Sequence, residues 1–319
     1  MARRDALKGL ATVALGGCLP GLGVTAPLAS SKRATGRPHI FITAEEIEGL
    51  KSVASVKASL EDGFLGEIWD RIQTECDREI GAPVLTARSM VKGRSESSAR
   101  LNNPDYTICR AAGQRILRNA LAMLLTEKNV YRTTALDQIS ALLDESVWPD
   151  WIDQAHIRFG LPADLRTGML SQDVGIGFDW LYPFLDGKER AAIVEGLDRR
   201  GIQPFETSMA QNPWWSRDLS NWYTVIIGGL GIAGMALGDA HPKSESLVRL
   251  SLPMMQRYLS IYGREGEFNE SVAYSNATRI PVTYFQAYTY HDPSISNPLA
   301  RAHSALSERT TAWIAAYRS

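Results

Sequence analysis

Residues 212–222, with the sequence NPWWSRDLSNW, hold three of the eight tryptophans of the chain, Trp214, Trp215 and Trp222. Arg217 lies among them. An indole ring can stack its flat face on the apolar face of a sugar ring, and an arginine can bind a carboxylate or a sulfate through two parallel hydrogen bonds. These residue types predict a surface that binds an acidic sugar. The alternative is that the tryptophans fill the protein core.

Asn221 lies in the same stretch and carries a side-chain amide that can donate hydrogen bonds to a carboxylate. An asparagine before an apolar run can also cap a helix. Ser220 could take the capping role, which would leave the Asn221 amide for a ligand.

A second polar cluster follows in residues 263–279, GREGEFNESVAYSNATR, which contain Glu270, Tyr274, Asn276 and Arg279. On a helix, Glu270 and Tyr274 would share one face because they are four residues apart. A tyrosine can transfer protons if a nearby cation, here Arg279 or Arg217, lowers its pKa from about 10. The alternative is a structural tyrosine beside an exposed glutamate.

The run NWYTVIIGGLGIAGMALGD, residues 221–239, contains Gly229, Gly231 and Gly234 in the G-x-G-x-x-G spacing. A dinucleotide-binding turn needs a preceding strand and an acidic residue about 20 residues later, and neither is evident here. The uncharged run is also shorter than the roughly 20 apolar residues of a membrane span. The pattern therefore predicts a buried helix whose glycines let neighbouring helices approach closely.

Apolar residues recur at helical spacing along most of the chain, and no segment shows the period-two alternation of a strand. Thr43 followed by Glu46 has the pattern of a capping box and predicts a helix start. The fold is predicted to be all-α, with helical hairpins arranged as a solenoid or an (α/α) toroid. The other predicted helices cover residues 64–80, 106–127, 131–148, 168–185, 188–202, 245–262, 278–291 and 299–318.

The 319 residues are 45% hydrophobic and 22% charged, with a formal net charge of -1. This composition is typical of a globular protein, and the near-neutral charge argues against a nucleic-acid partner. The three cysteines include no C-x-x-C pair, so neither a disulfide framework nor a structural metal site is predicted.

Residues 1–30 are predicted to be a bacterial export signal, because a basic start is followed by a weakly apolar run and small residues. Arg3 and Arg4 favour the twin-arginine route, and an ordinary Sec signal is the alternative. The sequence LGGC ending at Cys18 would also permit a lipid anchor. The mature domain, residues 31–319, is then expected in the periplasm or outside the cell.

Several motifs, in this order, resemble the helical domain of the heparinase II/III-like family, which includes alginate and oligoalginate lyases. They are RPHIFITAEEIEGLKS, ADLRTGMLSQDVGIGFDWLYPFLDGKERAAIVEGL, SNWYTVIIGGLGIAGMALGDAHP and EGEFNESVAYSNATR, and they span residues 37–279. The resemblance implies an incomplete (α/α) toroid whose cleft binds an acidic polysaccharide.

The resemblance also implies roles for single residues. The neutralising asparagine of the family falls on Asn221 and its catalytic tyrosine on Tyr274. In β-elimination, amide or guanidinium donors offset the charge of a uronate carboxylate, a base removes the neighbouring proton, and an acid protonates the departing oxygen. This scheme requires no metal or organic cofactor.

Two features depart from the family pattern. Trp222 follows Asn221 at a position where many relatives have a histidine. Of the histidines of this chain, His156 in DQAHIRFGLP is the one expected to reach a cleft, and His241 is expected in an exposed loop. The chain also ends at Ser319 in helical sequence, with no evident C-terminal β-sheet domain. It is therefore expected to be a minimal toroid or a truncated product.

Two other functions fit the same sequence. A toroidal glycoside hydrolase would use paired carboxylates, such as Asp173 with Asp179 or Glu267 with Glu270. A non-catalytic remnant would bind a glycan through its aromatic cleft without turnover.

Overall fold

The protein is described by a computed structural model that covers residues 36–61, 63–262 and 279–292, with only the backbone described at Arg279. Within these residues the chain is mostly helical and contains no β-strand. One isolated parallel bridge joins Thr43 and Ser52. The prediction of an all-α fold is confirmed for the part of the chain described.

The described residues form a succession of α-helices. In the described ranges they are α1 Val53–Ser59, α2 Gly63–Glu79, α3 Glu96–Arg100, α4 Tyr106–Thr126, α5 Asn129–Leu143, α6 Leu165–Leu181, α7 Gly187–Leu197, α8 Gln203–Ala210, α9 Asn221–Leu237, α10 Ser244–Tyr258 and α11 Arg279–His291. A π-helical segment, Asp198–Ile202, connects α7 to α8.

The predicted helix start at Thr43 is wrong. The backbone N–H of Thr43 donates to the carbonyl of Lys51, and the Thr43 carbonyl accepts from Val53, so the residue lies in the extended bridge. The first helix begins ten residues later, behind Ser52, which forms a capping box with Ser55. Glu46 instead accepts a hydrogen bond from the Ser52 hydroxyl.

Four helices, α4, α6, α9 and α11, form a row in which neighbours run parallel. Between α6 and α9, Gly168 lies against Val225 and Ile226 near the start of both helices, and Gly175 lies against Ala233 further along. The other two pairs of neighbours in the row also run parallel. Between α4 and α6, Gly113 meets Asp173, and Ile116 meets Gly177 further along both helices. Between α9 and α11, Gly228 meets Ile280, and Gly231 meets Tyr284 further along. The N-terminal ends of these helices therefore lie at one end of the row.

The remaining long helices pack on the outside of this row. Helix α10 runs antiparallel to α9, because Gly234 contacts Leu247 and Gly228 contacts Met255. Helices α2 and α5 pack on α4, and α7 packs on α5 and α6.

The glycines of α9 are packing residues, as predicted. A Cβ atom added to Gly229 would lie 2.2 Å from the carbonyl oxygen of Gly168, and one added to Gly231 would lie 2.3 Å from the Ser251 hydroxyl. Among the described residues, Asn221–Ala240 is the one helical stretch long and apolar enough to span a membrane, but 78% of its apolar window is buried within the protein. Burial of this kind is typical of a core helix.

The segment before α1 is anchored at the opposite end of the row from the start of α9. Arg37 donates to the carboxylate of Asp179 at 3.2 Å and to the terminal carbonyls Ala236 and Leu237 of α9. The backbone N–H of His39 also donates to Asp179, at 2.9 Å. A guanidinium at the C-terminal end of a helix satisfies carbonyls that lack helical partners and complements the helix dipole.

Candidate functional site

The loops at the N-terminal ends of α6 and α9 bring His156 beside Trp222. His156 lies in a short 3-10 segment, Gln154–Phe159, that precedes α6. The ring centroids of His156 and Trp222 are 4.6 Å apart. The histidine selected from the sequence therefore lies next to the residue that follows Asn221.

A buried carboxylate holds the imidazole of His156. Nδ1 of His156 lies 2.8 Å from Oδ2 of Asp164, whose side chain is only 2% exposed. Asp164 also accepts from the backbone N–H of Asp153 at 2.9 Å and of Arg166 at 2.7 Å, and it is the N-cap of α6. Because these N–H groups fix the carboxylate, Asp164 can orient the His156 ring.

Two aromatic rings, Phe159 and Trp222, contact the histidine, and a third, Trp214, packs on both of them. Trp214 lies 4.9 Å from Trp222 between centroids, and Phe159 contacts Trp214, Trp222 and His156 at centroid distances of 6.0, 5.8 and 5.7 Å. Phe159 is exposed, whereas His156, Trp214 and Trp222 are half-buried. The cluster therefore presents aromatic surface and an imidazole to solvent at one place.

Asn221 is the first residue of α9, and Ser220 takes the N-cap position. The Ser220 side chain makes no capping hydrogen bond, although its backbone is extended as a cap requires. The capping alternative for Asn221 therefore does not apply. Asn221 is half-buried and directly precedes Trp222 of the aromatic cluster.

Trp215 does not belong to this surface. Its side chain is fully buried and stacks on Phe205, with ring centroids 6.2 Å apart and an interplanar angle of 24°. The prediction of Trp215 as a sugar-binding residue is wrong, because a core ring cannot stack on a ligand. Arg217 follows in the same turn and is exposed, so it remains able to reach a ligand.

Buried polar contacts join the loops beneath the cluster. Arg166 donates to Asp153 at 2.6 Å, and Asn103 donates to the same carboxylate at 3.2 Å. Thr167 completes the capping box of Asp164 and donates to the carbonyl of Trp151 at 3.0 Å. These contacts fix the loop of His156 to the ends of α4 and α6.

The described tyrosine nearest to Asn221 in sequence is not available for proton transfer. Tyr223 is fully buried and donates its hydroxyl hydrogen bond to the carbonyl of Met254 at 3.0 Å. Burial raises the pKa of its phenol above the ordinary value. A proton-transfer tyrosine needs the opposite shift.

The carboxylates Asp173 and Asp179 do not form a pair. Six residues along α6 separate them by about 9 Å of helix rise and place them on different faces. Asp173 faces Gly113 on α4, whereas Asp179 is fully buried against Arg37 and His39. Burial raises the pKa of the Asp179 carboxyl, and His39 and Arg37 act in the opposite direction. Asp179 anchors the segment before α1.

Several predicted site residues lie outside the described residues. They are Glu267, Glu270, Tyr274 and Asn276, together with the side chain of Arg279, whose backbone begins α11. The start of α11 lies at the same end of the row as the start of α9, because Ile280 lies against Gly228.

The remaining chemical groups give no metal site among the described residues. No group of three or more His, Cys, Asp or Glu side chains there could hold a metal ion. His241 is not an exposed loop residue as predicted: it is buried, with Nε2 at 3.2 Å from the carboxylate of Asp198. Cys76 and Cys109 are buried free thiols.

Comparison with known protein families found no family model that matches the chain. Comparison with curated proteins found no match either. The resemblance to the heparinase II/III-like family therefore stays a hypothesis, carried by the ordered motifs of the sequence.

Two members of the cluster, Asp164 and Phe159, were missed in the sequence. The D-x-x-T pattern of Asp164 and Thr167 before an apolar run indicates a helix cap. A capping aspartate need not contact a further side chain, so the pattern does not predict the contact with His156. Nothing in the eight-residue separation of His156 and Asp164 indicates that they touch. Phe159 is an isolated aromatic in a polar loop, which is usual on protein surfaces.

Proposed function

We propose that this protein is a polysaccharide lyase that cleaves a uronic acid-containing glycan by β-elimination. The observation that carries the proposal is the grouping of Asn221, His156, Trp214 and Trp222 at the N-terminal ends of α6 and α9. This grouping combines an amide donor, an imidazole and aromatic stacking surfaces. Such a set suits a sugar that carries a carboxylate.

We propose that the helical row continues as an incomplete (α/α) toroid, with the candidate site in its cleft. The parallel row helices and the antiparallel packing of α10 on α9 support this arrangement. The row also presents the N-terminal ends of three described helices, α4, α6 and α9, at the end where the cluster lies. Helix N-termini carry partial positive charge, which favours an anionic ligand.

The proposed roles follow the chemistry of elimination. Asn221 offsets the charge of the uronate carboxylate as the neighbouring proton leaves, and Tyr274 transfers protons to and from the sugar. Trp214 and Trp222 stack on sugar rings, and Arg217 and Arg279 bind acidic groups. Glu270 and Asn276 support the site. The mechanism uses no cofactor.

The test is a screen of the purified protein, residues 31–319, on alginate, heparan sulfate, heparin, hyaluronan and glucuronan. Elimination creates a double bond next to the carboxylate, which absorbs ultraviolet light. We expect absorbance to rise with one or more of these glycans. The Asn221→Ala variant tests whether the absorbance comes from this site. Its rate should fall about 10²–10³-fold because one preorganised donor is lost.

The same screen separates the two rival functions. New reducing ends without ultraviolet absorbance would identify a hydrolase and reject the lyase mechanism. Binding without any product would identify a glycan-binding protein. Among the described residues, Asp173 and Asp179 give no support to the hydrolase, because Asp179 is bound to Arg37 and does not face Asp173.

We further propose that the protein is exported to the periplasm or secreted. Residues 1–30, including Cys18, lie outside the described residues, so this proposal rests on the sequence pattern alone. Changing Arg3 and Arg4 together to lysine should retain the precursor in the cytoplasm if the twin-arginine route is used. Unchanged export of this variant would indicate the Sec route.

A further inference from the structure

We propose that His156 is a proton-accepting group of the candidate site, acting through Nε2, and that Asp164 is the residue that positions it. The inference rests on the proposed function for its catalytic meaning. Its structural basis is the contact of 2.8 Å between Nδ1 of His156 and Oδ2 of Asp164.

The contact determines which ring nitrogen carries the proton. An ionised carboxylate only accepts hydrogen bonds, and the two oxygens of Asp164 already accept from the N–H groups of Asp153 and Arg166. Nδ1 of His156 must therefore donate. In the neutral ring the lone pair then lies on Nε2, at the opposite side of the imidazole from Asp164.

Several charged groups lie near His156. Asp164 is buried behind the imidazole and contacts its Nδ1. The other charged groups near the ring are the buried ion pair Arg166–Asp153 and, on the segment of the histidine itself, the exposed Arg158. Arg217 and Asp218 are exposed charged residues in the loop before α9, which also carries Trp214.

The opposite face of the site is aromatic. Phe159 and Trp222 contact the ring of His156, Trp214 packs on Trp222, and none of the three carries a titratable group. A buried carboxylate that fixes one nitrogen while the other acts on a ligand is the arrangement by which proteins prepare a histidine as a general base.

In an elimination the C–H bond next to the carboxylate breaks and its proton passes to Nε2 of His156. The electron pair forms the new carbon–carbon double bond while the bond to the glycosidic oxygen breaks. In this refinement of the proposed function Tyr274 acts only as the acid: it gives a proton to the departing oxygen, and solvent then exchanges protons with both residues.

The tautomer can be measured directly by NMR of protein labelled with ¹⁵N at histidine. At a pH about two units above the ordinary histidine pKa of about 6.5, we expect His156 to carry its proton on Nδ1. His241 is an internal control with the opposite tautomer, because its Nδ1 accepts from the N–H of Lys243 and its Nε2 faces Asp198. His156→Gln assigns the signal.

Asp164→Asn tests the positioning role. Asparagine is a good N-cap, so α6 should persist in this variant. Because the amide no longer stabilises the Nδ1–H tautomer, the ¹⁵N signals of His156 should shift toward those of the Nε2–H tautomer. Asp186→Asn is the matched control, since Asp186 is the cap of α7 with the same capping box and no histidine. An Nε2–H tautomer at His156 in the wild type, or no change in Asp164→Asn, would overturn the positioning claim.

Activity tests the proton-accepting role once a substrate glycan is known. His156→Gln should reduce kcat by about 10²–10⁴-fold with little change in KM and should remove the acid limb of the pH profile, because a base must be deprotonated to act. Imidazole should partly restore His156→Gly. Full activity of His156→Gln would reject the role. If the wild type cleaves no glycan, the proposed function fails while the tautomer measurement still decides the positioning claim.

Discussion

The backbone of Gly229 on α9 lies directly against the backbone of Gly168 on α6, so that a Cβ atom at residue 229 would come within 2.2 Å of the Gly168 carbonyl oxygen. This approach sets the distance between the two helices whose first residues carry the candidate site. Asp164 and His156 lie at the start of α6, and Asn221 and Trp222 lie at the start of α9. The contact between Gly168 and Gly229 therefore helps to position the residues of the site at the starts of the two helices.

Replacing Gly229 with alanine should destabilise the protein. The added methyl group meets a backbone oxygen, which cannot move as a side chain could, so we expect a loss of about 1–3 kcal/mol in the free energy of unfolding. Urea denaturation measures this change. Gly187→Ala is the matched control, because a Cβ at the start of α7 would meet nothing within 4 Å. Equal stability of the two variants would contradict the packing role, and so would tight binding of a dinucleotide.

Trp222→Ala should weaken glycan binding by roughly tenfold, which corresponds to about 1.4 kcal/mol of lost stacking. Isothermal titration calorimetry with the glycan identified in the screen measures the dissociation constant. Phe64→Ala serves as the control, because Phe64 is an aromatic residue that is 74% exposed on α2, outside the cluster. An unchanged dissociation constant for Trp222→Ala would remove this ring from the binding surface.

The two buried cysteines should not react with a thiol reagent in the folded protein. Burial raises the pKa of the Cys76 thiol to about 12, and burial also raises the pKa of the Cys109 thiol well above its ordinary range. Because only the thiolate reacts, about one Cys76 side chain in ten thousand is reactive at a pH of about 8. Reaction of residues 31–319 with Ellman's reagent should be slow in buffer and rapid for two thiols in guanidinium chloride. Rapid reaction in buffer would show that these sites open readily.

The helices of the core could be predicted from the sequence because each buries one apolar face. The segment 106–127 was predicted as a helix and α4 covers Tyr106–Thr126, with Asp105 as its cap. The start of α1 could not be predicted, because Thr43 and Glu46 form long-range and loop contacts that compete with a capping box. A local sequence pattern does not show that other hydrogen bonds will replace those of a capping box.

The candidate site was predictable only in part. The concentration of tryptophans and an asparagine in one stretch predicts Trp214, Trp222 and Asn221 as site residues. The same pattern includes Trp215, which fills the core, and the sequence does not distinguish it from the others. That distinction depends on which side of a short turn faces Phe205. The contact of His156 with Asp164 depends on how the loop before α6 folds back, and no sequence spacing encodes it.

The most direct test of the lyase mechanism is the initial rate of ultraviolet absorbance increase on the preferred glycan for the wild type and Tyr274→Phe. The substitution removes only the hydroxyl group that transfers protons, so binding should change little while the rate falls by about 10²–10⁴-fold. Glu270→Gln should lose less, because Glu270 supports the site without transferring a proton. Near-full activity of Tyr274→Phe, with activity abolished in Glu270→Gln, would contradict the lyase mechanism.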